Sequence, residues 1–273
     1  NIKYGSIKNP NKNNYHGSEY NPIFERSESC LPCHDFKIRN IEAEITFTEW
    51  NRIPGLAMSG ALSCQDCHMQ LKLDGTHDHR FTGVDIDLTY PIGESPLHFE
   101  VEKMLKSAAE VKFGYYNEFL PDSIRDNELL VIPVSIISRT AHGIPSGTSF
   151  AREAWLEIVV TNQQNNIVFE SGLYDRKEPL DYDDDDLLFF TTFFLNEDGD
   201  TLESVVNIKE MINKSLPAFS SRFHNYELNI NNIASDYIII NIRLLFRAFK
   251  PHLLKAHPEL LENLPVFEIS AIK

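Results

Sequence analysis

The four cysteines of this chain constrain its structure more than any other feature. They form two C-x-x-C pairs, and a histidine follows each pair directly, in Cys30–His34 (CLPCH) and Cys64–His68 (CQDCH). With four cysteines and ten histidines in 273 residues, chance produces one such motif roughly 0.002 times. Two motifs that together use every cysteine are therefore not accidental.

The C-x-x-C-H pattern is the attachment signature of c-type haem. Its two thiols form thioethers with the haem vinyl groups, and the adjacent histidine supplies the proximal imidazole to the iron. The sequence therefore predicts two covalent haems, one on Cys30 and Cys33 with proximal His34, and one on Cys64 and Cys67 with proximal His68.

Four cysteines have two other common uses, a Cys₄ zinc site and a pair of disulfides. A zinc site would have 30 residues between its two pairs, which is longer than the usual spacing of about 15–20. Neither alternative explains a histidine after both pairs, so the haem interpretation is preferred.

Each haem iron has a second axial position, for which histidine is the favoured ligand because methionine is scarce and imidazole suits iron. The distal candidates lie in local contexts rich in turn residues: His16, His79 and His142, with His77 as a competitor of His79. His98 is a weaker candidate, and His224, His252 and His257 are not assigned a role. Tyr15, Tyr20, Phe24, Trp50 and Phe81 are either haem-pocket walls or ordinary core aromatics.

The rest of the chain predicts a mixed fold with two parts. Residues 1–95 form an irregular, partly helical dihaem segment, with short helices over 22–29 and 44–52. Residues 96–273 form a mostly antiparallel β-sandwich. Its strands are expected at 98–105, 129–138, 154–161, 167–170, 187–195, 226–230, 237–246 and 266–272, with a hairpin turn at 196–200 and helices at 208–215 and 253–261.

The net charge and the first residue indicate which partners and which compartment to expect. The net charge of −15 argues against nucleic acid as a partner and against docking on an anionic membrane. No apolar run approaches the ~20 residues of a membrane span. Residue 1 is Asn rather than Met, so we expect the mature form of an exported, periplasmic or extracellular protein. The acidic run 181–186 is interpreted as a solvated loop in preference to a calcium site, because it lacks the spaced ligands of an EF-hand.

The motifs together resemble a family. The segments around His16, Cys30–His34, Glu49-Trp50, Cys64–Met69, His79 and His142 are similar to those of the bacterial and archaeal multihaem c-type cytochromes related to cytochrome c554. The resemblance implies a haem segment followed by a β-rich region. It also implies proximal His34 and His68 with distal His16, His79 and His142. The chain departs from the family in carrying two haem motifs, where relatives usually carry more.

Three functions follow as hypotheses. The first is an electron carrier that exchanges single electrons with redox partner proteins. The second is a haem enzyme with an open distal site, of the peroxidase or nitrogen-oxide reductase type. The third is a subunit of a haem-wired cytochrome assembly. Three distal candidates exceed two irons, so one of them is either a bystander or, in such an assembly, the ligand of a haem in a neighbouring subunit, with His16 or His142 as the candidate.

Overall fold

The structure is a computed structural model that describes residues 1–11, 13–56, 62–115, 119–125, 127–230 and 235–273. The chain divides into two compact units, Asn1–Gly83 and Val84–Lys273. The second unit thus begins before the composition shift near residue 95. Val84 and Ile86 pack against the β-rich core of that unit, and Leu88 joins a smaller apolar cluster there. These contacts draw residues 84–95 into the second unit.

Short elements make up the first unit. A two-stranded parallel sheet pairs β1 (Ile2–Gly5) with β2 (Gly17–Tyr20), and an antiparallel hairpin joins β3 (Phe36–Ile38) to β4 (Ile41–Glu44). The helices are α1 (Leu31–His34), α2 (Thr46–Asn51) and α3 (Cys64–His68). The helix expected over 44–52 is α2, whereas the segment expected as a helix over 22–29 forms two 3₁₀ turns, Pro22–Glu25 and Ser27–Ser29.

The first unit buries very little apolar surface of its own. Among its described residues, the buried apolar side chains are Ala43 and Trp50. Many large apolar side chains are instead exposed: Ile2, Tyr4, Ile7, Tyr15, Ile23, Phe24, Leu31, Phe36, Leu71, Leu73 and Phe81. A unit with so small a core needs a further source of stability, such as a bound group, a metal or a partner.

Antiparallel sheets form the body of the second unit. One sheet has the order β13–β6–β5, with β5 at Ala109–Phe113, β6 at Glu128–Ser138 and β13 at Ser221–Ile230. The other has the order β15–β14–β7–β8, with β7 at Glu153–Asn162, β8 at Ile167–Ser171, β14 at Ile238–Arg247 and β15 at Phe267–Ile272, and β9 (Phe189–Phe190) also pairs with β7. A small third sheet has the order β11–β10–β12, with β10 at Thr192–Leu195, β11 at Thr201–Leu202 and β12 at Glu210–Asn213. The helices are α4 (His98–Ala108) and α5 (Pro258–Leu261), with a 3₁₀ turn at Pro251–Leu254.

The two larger sheets share one hydrophobic core. Alternate side chains of β6, from Leu130 to Ile136, join alternate side chains of β7, from Ala154 to Val160, in a single buried cluster. This period of two is the pattern of strands that bury one face against a second sheet. The predicted fold class, a mixed fold with a mostly antiparallel β-rich body, is confirmed.

Two predicted elements of this region are wrong. Residues 98–105, expected as a strand, belong to helix α4, because the buried residues Val101, Leu105 and Ala108 follow a helical spacing and share one face. Residues 208–215, expected as a helix, contain strand β12, which pairs with β10 from Thr192 to Leu195. There the sheet partner outweighs the local sequence preference.

A charged group is buried between β7 and β14. Glu153 and its cross-strand partner Arg247 form an ion pair in which the side chains are 1% and 0% exposed. The Tyr182 hydroxyl donates a hydrogen bond to the same carboxylate. The next pair along the same strands, Glu157 with Arg243, has side chains that are 7% and 44% exposed. The same sheet therefore contains two Glu–Arg ion pairs, one fully buried and one with a partly exposed arginine.

Candidate functional site

Each C-x-x-C-H motif forms one turn of helix. In the first motif, the backbone amide of His34 donates to the Cys30 carbonyl at 3.0 Å, and Pro32 lies in the first turn, where its missing N–H costs nothing. In the second motif, Ser63 and Asp66 form a capping box that fixes the start of α3. Local sequence therefore places both thiols and the histidine of each motif on one short helical turn.

The two motifs, far apart in sequence, lie side by side in the first unit. The backbone amide of Cys64 donates to the Ser27 hydroxyl at 3.0 Å. The Gln65 side-chain amide donates to the Arg26 carbonyl at 2.7 Å and to the Ser29 hydroxyl at 3.0 Å. Ser27 and Gln65 are both buried. These three hydrogen bonds hold α3 against the 3₁₀ turn that leads into α1.

The first cysteines of the two motifs meet directly. A hydrogen bond from the Cys64 thiol is the main cause that lowers the pKa of Cys30 to about 6, and the nearby imidazoles of His34 and His68 act in the same direction. The same contact raises the pKa of Cys64. All four cysteines are free thiols, and Cys33 and Cys67 are exposed. The pairs thus present their second thiols outward.

The zinc alternative gains no support from this geometry. Within the described ranges, no group of three or more His, Cys, Asp or Glu side chains is arranged to hold a metal ion. The four sulfurs are therefore not gathered around one point, as a tetrahedral Cys₄ site requires.

The His68 ring is oriented by a backbone carbonyl. Its Nδ1 atom lies 2.6 Å from the carbonyl oxygen of Thr82. Because a carbonyl only accepts, the proton is on Nδ1 and the ring's lone pair is on Nε2, the atom that binds iron in this type of motif. His34 is exposed. The roles of His34 and His68 as proximal ligands remain predictions.

In three of the four distal candidates a backbone carbonyl orients the imidazole ring, as it does in His68. Nδ1 lies 2.9 Å from the Gly17 carbonyl in His16, 2.6 Å from the Met69 carbonyl in His77 and 3.0 Å from the Gly143 carbonyl in His142. Each contact places the lone pair on Nε2. The side chain of the fourth candidate, His79, is exposed and stacks on Phe81, with 6.1 Å between ring centroids.

The candidate histidines sit on different supports. His16 directly precedes β2, which pairs in parallel with β1. His77 closes a tight hairpin with Leu71, whose turn contains Gly75 at φ +81°. The His142 loop of the second unit is pinned by reciprocal hydrogen bonds between Ile144 and Leu216, at 2.9 and 2.8 Å. Each histidine is therefore held by backbone pairing rather than by a long helix.

The histidines left unassigned lie in other surroundings. The His98 ring packs on Phe267 at 5.0 Å, and the His224 ring packs on Tyr226 at 4.5 Å between centroids. One ring nitrogen of each is buried without a hydrogen-bond partner among the described residues. Burial lowers the pKa of His224 and of His252. His257 is exposed beside Glu259.

The expected aromatic walls divide into two kinds. Trp50 is buried and donates from Nε1 to the Leu62 carbonyl at 2.8 Å. Tyr15, Phe24 and Phe81 are exposed. Exposed aromatic and aliphatic side chains in the same unit as the two C-x-x-C-H turns fit a large, flat apolar group such as haem, which would supply the core that the first unit lacks.

Sequence reasoning missed the residues that organise the site around the motifs. Ser27, Gln65 and Thr82 carry no local signature of such a role. Gln65 occupies a variable position inside a motif, and Thr82 contributes only its carbonyl oxygen. Their functions depend on contacts between segments distant in sequence, which a motif does not encode.

The comparisons with known proteins bear on the fold. No protein family and no curated protein matches the chain. Among solved structures, a penta-haem cytochrome c552 from Thermochromatium tepidum matches with a TM-score of 0.65 and 20% identity, over 94% of this chain and 58% of that one. The chain therefore shares the fold of the part of that cytochrome that it matches.

The chain differs from that cytochrome in length and in the number of haems that its motifs can hold. The chain spans about 58% of the length of that cytochrome. The cytochrome c552 carries five haems, whereas the four cysteines here suffice for two attachment motifs. The narrower resemblance to the cytochrome c554 family stays a prediction. In the described part of the chain, no helix is long and apolar enough to cross a membrane.

Proposed function

We propose that this chain is an electron-transfer protein that carries two covalently bound c-type haems. The observation that supports it most is the pairing of two complete C-x-x-C-H turns, linked through Ser27 and Gln65. Side-by-side attachment motifs bring two redox groups into one short segment. When bound, haem supplies a one-electron couple whose potential the protein tunes through its axial ligands and their surroundings.

The chain's own residues have separate tasks in this proposal. Cys30, Cys33, Cys64 and Cys67 form the thioethers, and His34 and His68 bind iron through Nε2. The apolar side chains exposed in the first unit cover the haem faces and exclude water, which keeps the reorganisation around the iron small. The Thr82 carbonyl holds His68 in one tautomer. No substrate-binding step is required of any residue.

The distal positions are filled by histidine in this proposal. His16, His77 and His142 are favoured because a carbonyl fixes the proton of each ring on Nδ1. On this ground the proposal prefers His77 to His79, for which the sequence had made His77 only the competitor. Candidates still outnumber two irons. Ligation of a neighbouring subunit's haem by His16 or His142 therefore remains a prediction, which the assembly size of variants at these two positions would test.

The proposed setting is an exported compartment, periplasmic or extracellular, with redox proteins as partners. The fold shared with a cytochrome c supports this setting, since c-type haem is attached outside the cytoplasm. The net charge of −15 suits partners that present a basic docking face, because complementary charge speeds encounter.

A spectroscopic and coulometric experiment tests the proposal. The holoprotein should accept two electrons per chain and show low-spin haem in both oxidation states. A variant with Cys64→Ser and Cys67→Ser should keep half of the haem absorbance, because the first motif is intact. A high-spin component that binds carbon monoxide would instead favour the haem enzyme, and absence of reversible reduction would contradict electron transfer.

A further inference from the structure

The two predicted proximal histidines differ in their surroundings. The His68 Nδ1 atom donates to the Thr82 carbonyl at 2.6 Å, which is short for a hydrogen bond from nitrogen to oxygen. The His34 ring makes no hydrogen bond to any residue that the structure describes. Both rings lie near Cys30. The two motifs are therefore similar in sequence but not equivalent in how their imidazoles are supported.

A strained turn delivers the Thr82 carbonyl to His68. Phe81 has φ +51°, the left-handed region that side chains with a Cβ rarely adopt. Just before it, Asp78 accepts hydrogen bonds from the backbone amide of Arg80 at 3.0 Å and from its guanidinium Nε at 2.9 Å. The Phe81 ring is exposed and stacks on His79. The left-handed conformation of Phe81 turns the next carbonyl, that of Thr82, toward His68.

The carboxylates near the two motifs do not distinguish the surroundings of His34 from those of His68. Asp35 follows His34 and accepts from the Thr48 amide at 2.7 Å. Asp66 precedes Cys67 and accepts from the Ser63 amide at 2.6 Å. Each motif thus has one negative charge in or beside it, already engaged with a backbone N–H. The hydrogen bond from His68 to the Thr82 carbonyl is therefore a difference that these carboxylates do not offset.

We propose that Phe81 and Thr82 act as positioning residues that give the two haems different reduction potentials, with the lower potential at the haem held by Cys64, Cys67 and His68. This inference rests on the proposed function. A strong hydrogen bond from Nδ1 makes the imidazole more basic, and a more basic ligand stabilises ferric over ferrous iron. During reduction, the first electron therefore resides on the haem of Cys30 and Cys33.

Two variants of Phe81 separate this role from packing. Phe81→Val and Phe81→Asn both remove the ring, but β-branched valine disfavours positive φ whereas asparagine tolerates it. In a potentiometric titration of the holoprotein, Phe81→Val should raise the lower potential and leave the higher one in place. Phe81→Asn should change the two potentials only by what loss of the apolar ring causes, so the lower potential should rise further in Phe81→Val than in Phe81→Asn. The Nδ1 proton resonance of His68 should shift in Phe81→Val alone.

The outcomes separate this inference from the proposed function. A variant with Cys30→Ser and Cys33→Ser retains only the second haem, and its potential should match the lower one of the intact protein. Two haems with equal potentials, or the lower potential on the first motif, would overturn the inference and leave electron transfer standing. Equal shifts in both Phe81 variants would also overturn it, because loss of the ring would then be the cause. A protein that binds no haem would overturn the proposed function itself.

Discussion

Loss of the buried carboxylate at Glu153 should strongly destabilise the β-rich unit. Glu153 and Arg247 are 1% and 0% exposed, and the Tyr182 hydroxyl also donates to Glu153. Glu153→Leu leaves a buried guanidinium without its counter-charge, which costs about 3–5 kcal/mol. The matched change Glu157→Leu affects a pair whose arginine is 44% exposed, and it should cost about 1 kcal/mol.

Denaturant unfolding followed by far-ultraviolet circular dichroism measures both costs. A double variant, Glu153→Leu with Arg247→Met, should recover most of the lost stability, because an apolar pair of similar size replaces a buried ion pair at little net cost. The reasoning is refuted if Glu153→Leu costs no more than Glu157→Leu. It is also refuted if the double variant is less stable than Glu153→Leu alone.

Three further changes test other parts of the structure. Burial lowers the pKa of Lys250 to about 8, so the folded protein releases this proton before the unfolded chain does. The unfolding free energy should then rise by up to about 3 kcal/mol between pH 8 and 10.5, and Lys250→Met should lose this rise. Gly172 has φ +71° and its added Cβ would overlap the Leu156 carbonyl oxygen, so Gly172→Ala should lower the thermal midpoint by an amount equivalent to about 2 kcal/mol or more. Gly199→Ala, at φ +87° in open space, should cost about 1 kcal/mol. Gln65→Ala removes two hydrogen bonds between the motifs, so it should weaken amide-exchange protection in the first unit by about 1–3 kcal/mol. The control Gln70→Ala, at an exposed side chain, should leave this protection unchanged. Unchanged protection in Gln65→Ala would show that Gln65 does not join the motifs.

The sequence predicted those elements that local patterns encode. The strand around Leu130 follows from a run of apolar residues and the strand around Trp155 from their alternation, and the hairpin turn before Asp200 follows from its Asn, Asp and Gly content. Where local preference and tertiary partners disagree, as at Met211 in β12, the partner strand decided the outcome.

The arrangement of the site could not be read from the sequence. The hydrogen bond from the Cys64 amide to the Ser27 hydroxyl joins segments 37 residues apart. Neither residue type indicates that the other will be its partner. The Thr82 carbonyl is a backbone group that every residue possesses, and only the left-handed turn at Phe81 aims it at His68. Such contacts depend on chain geometry, which a motif search does not include.

The mass of the denatured protein tests the central claim most directly, because thioether-bound haem survives unfolding. We predict a mass equal to the 31.4 kDa chain plus two haem groups, with peptides containing Cys30 and Cys33, and Cys64 and Cys67, each carrying one. A mass equal to the bare chain, with zinc bound to the native protein, would contradict the account.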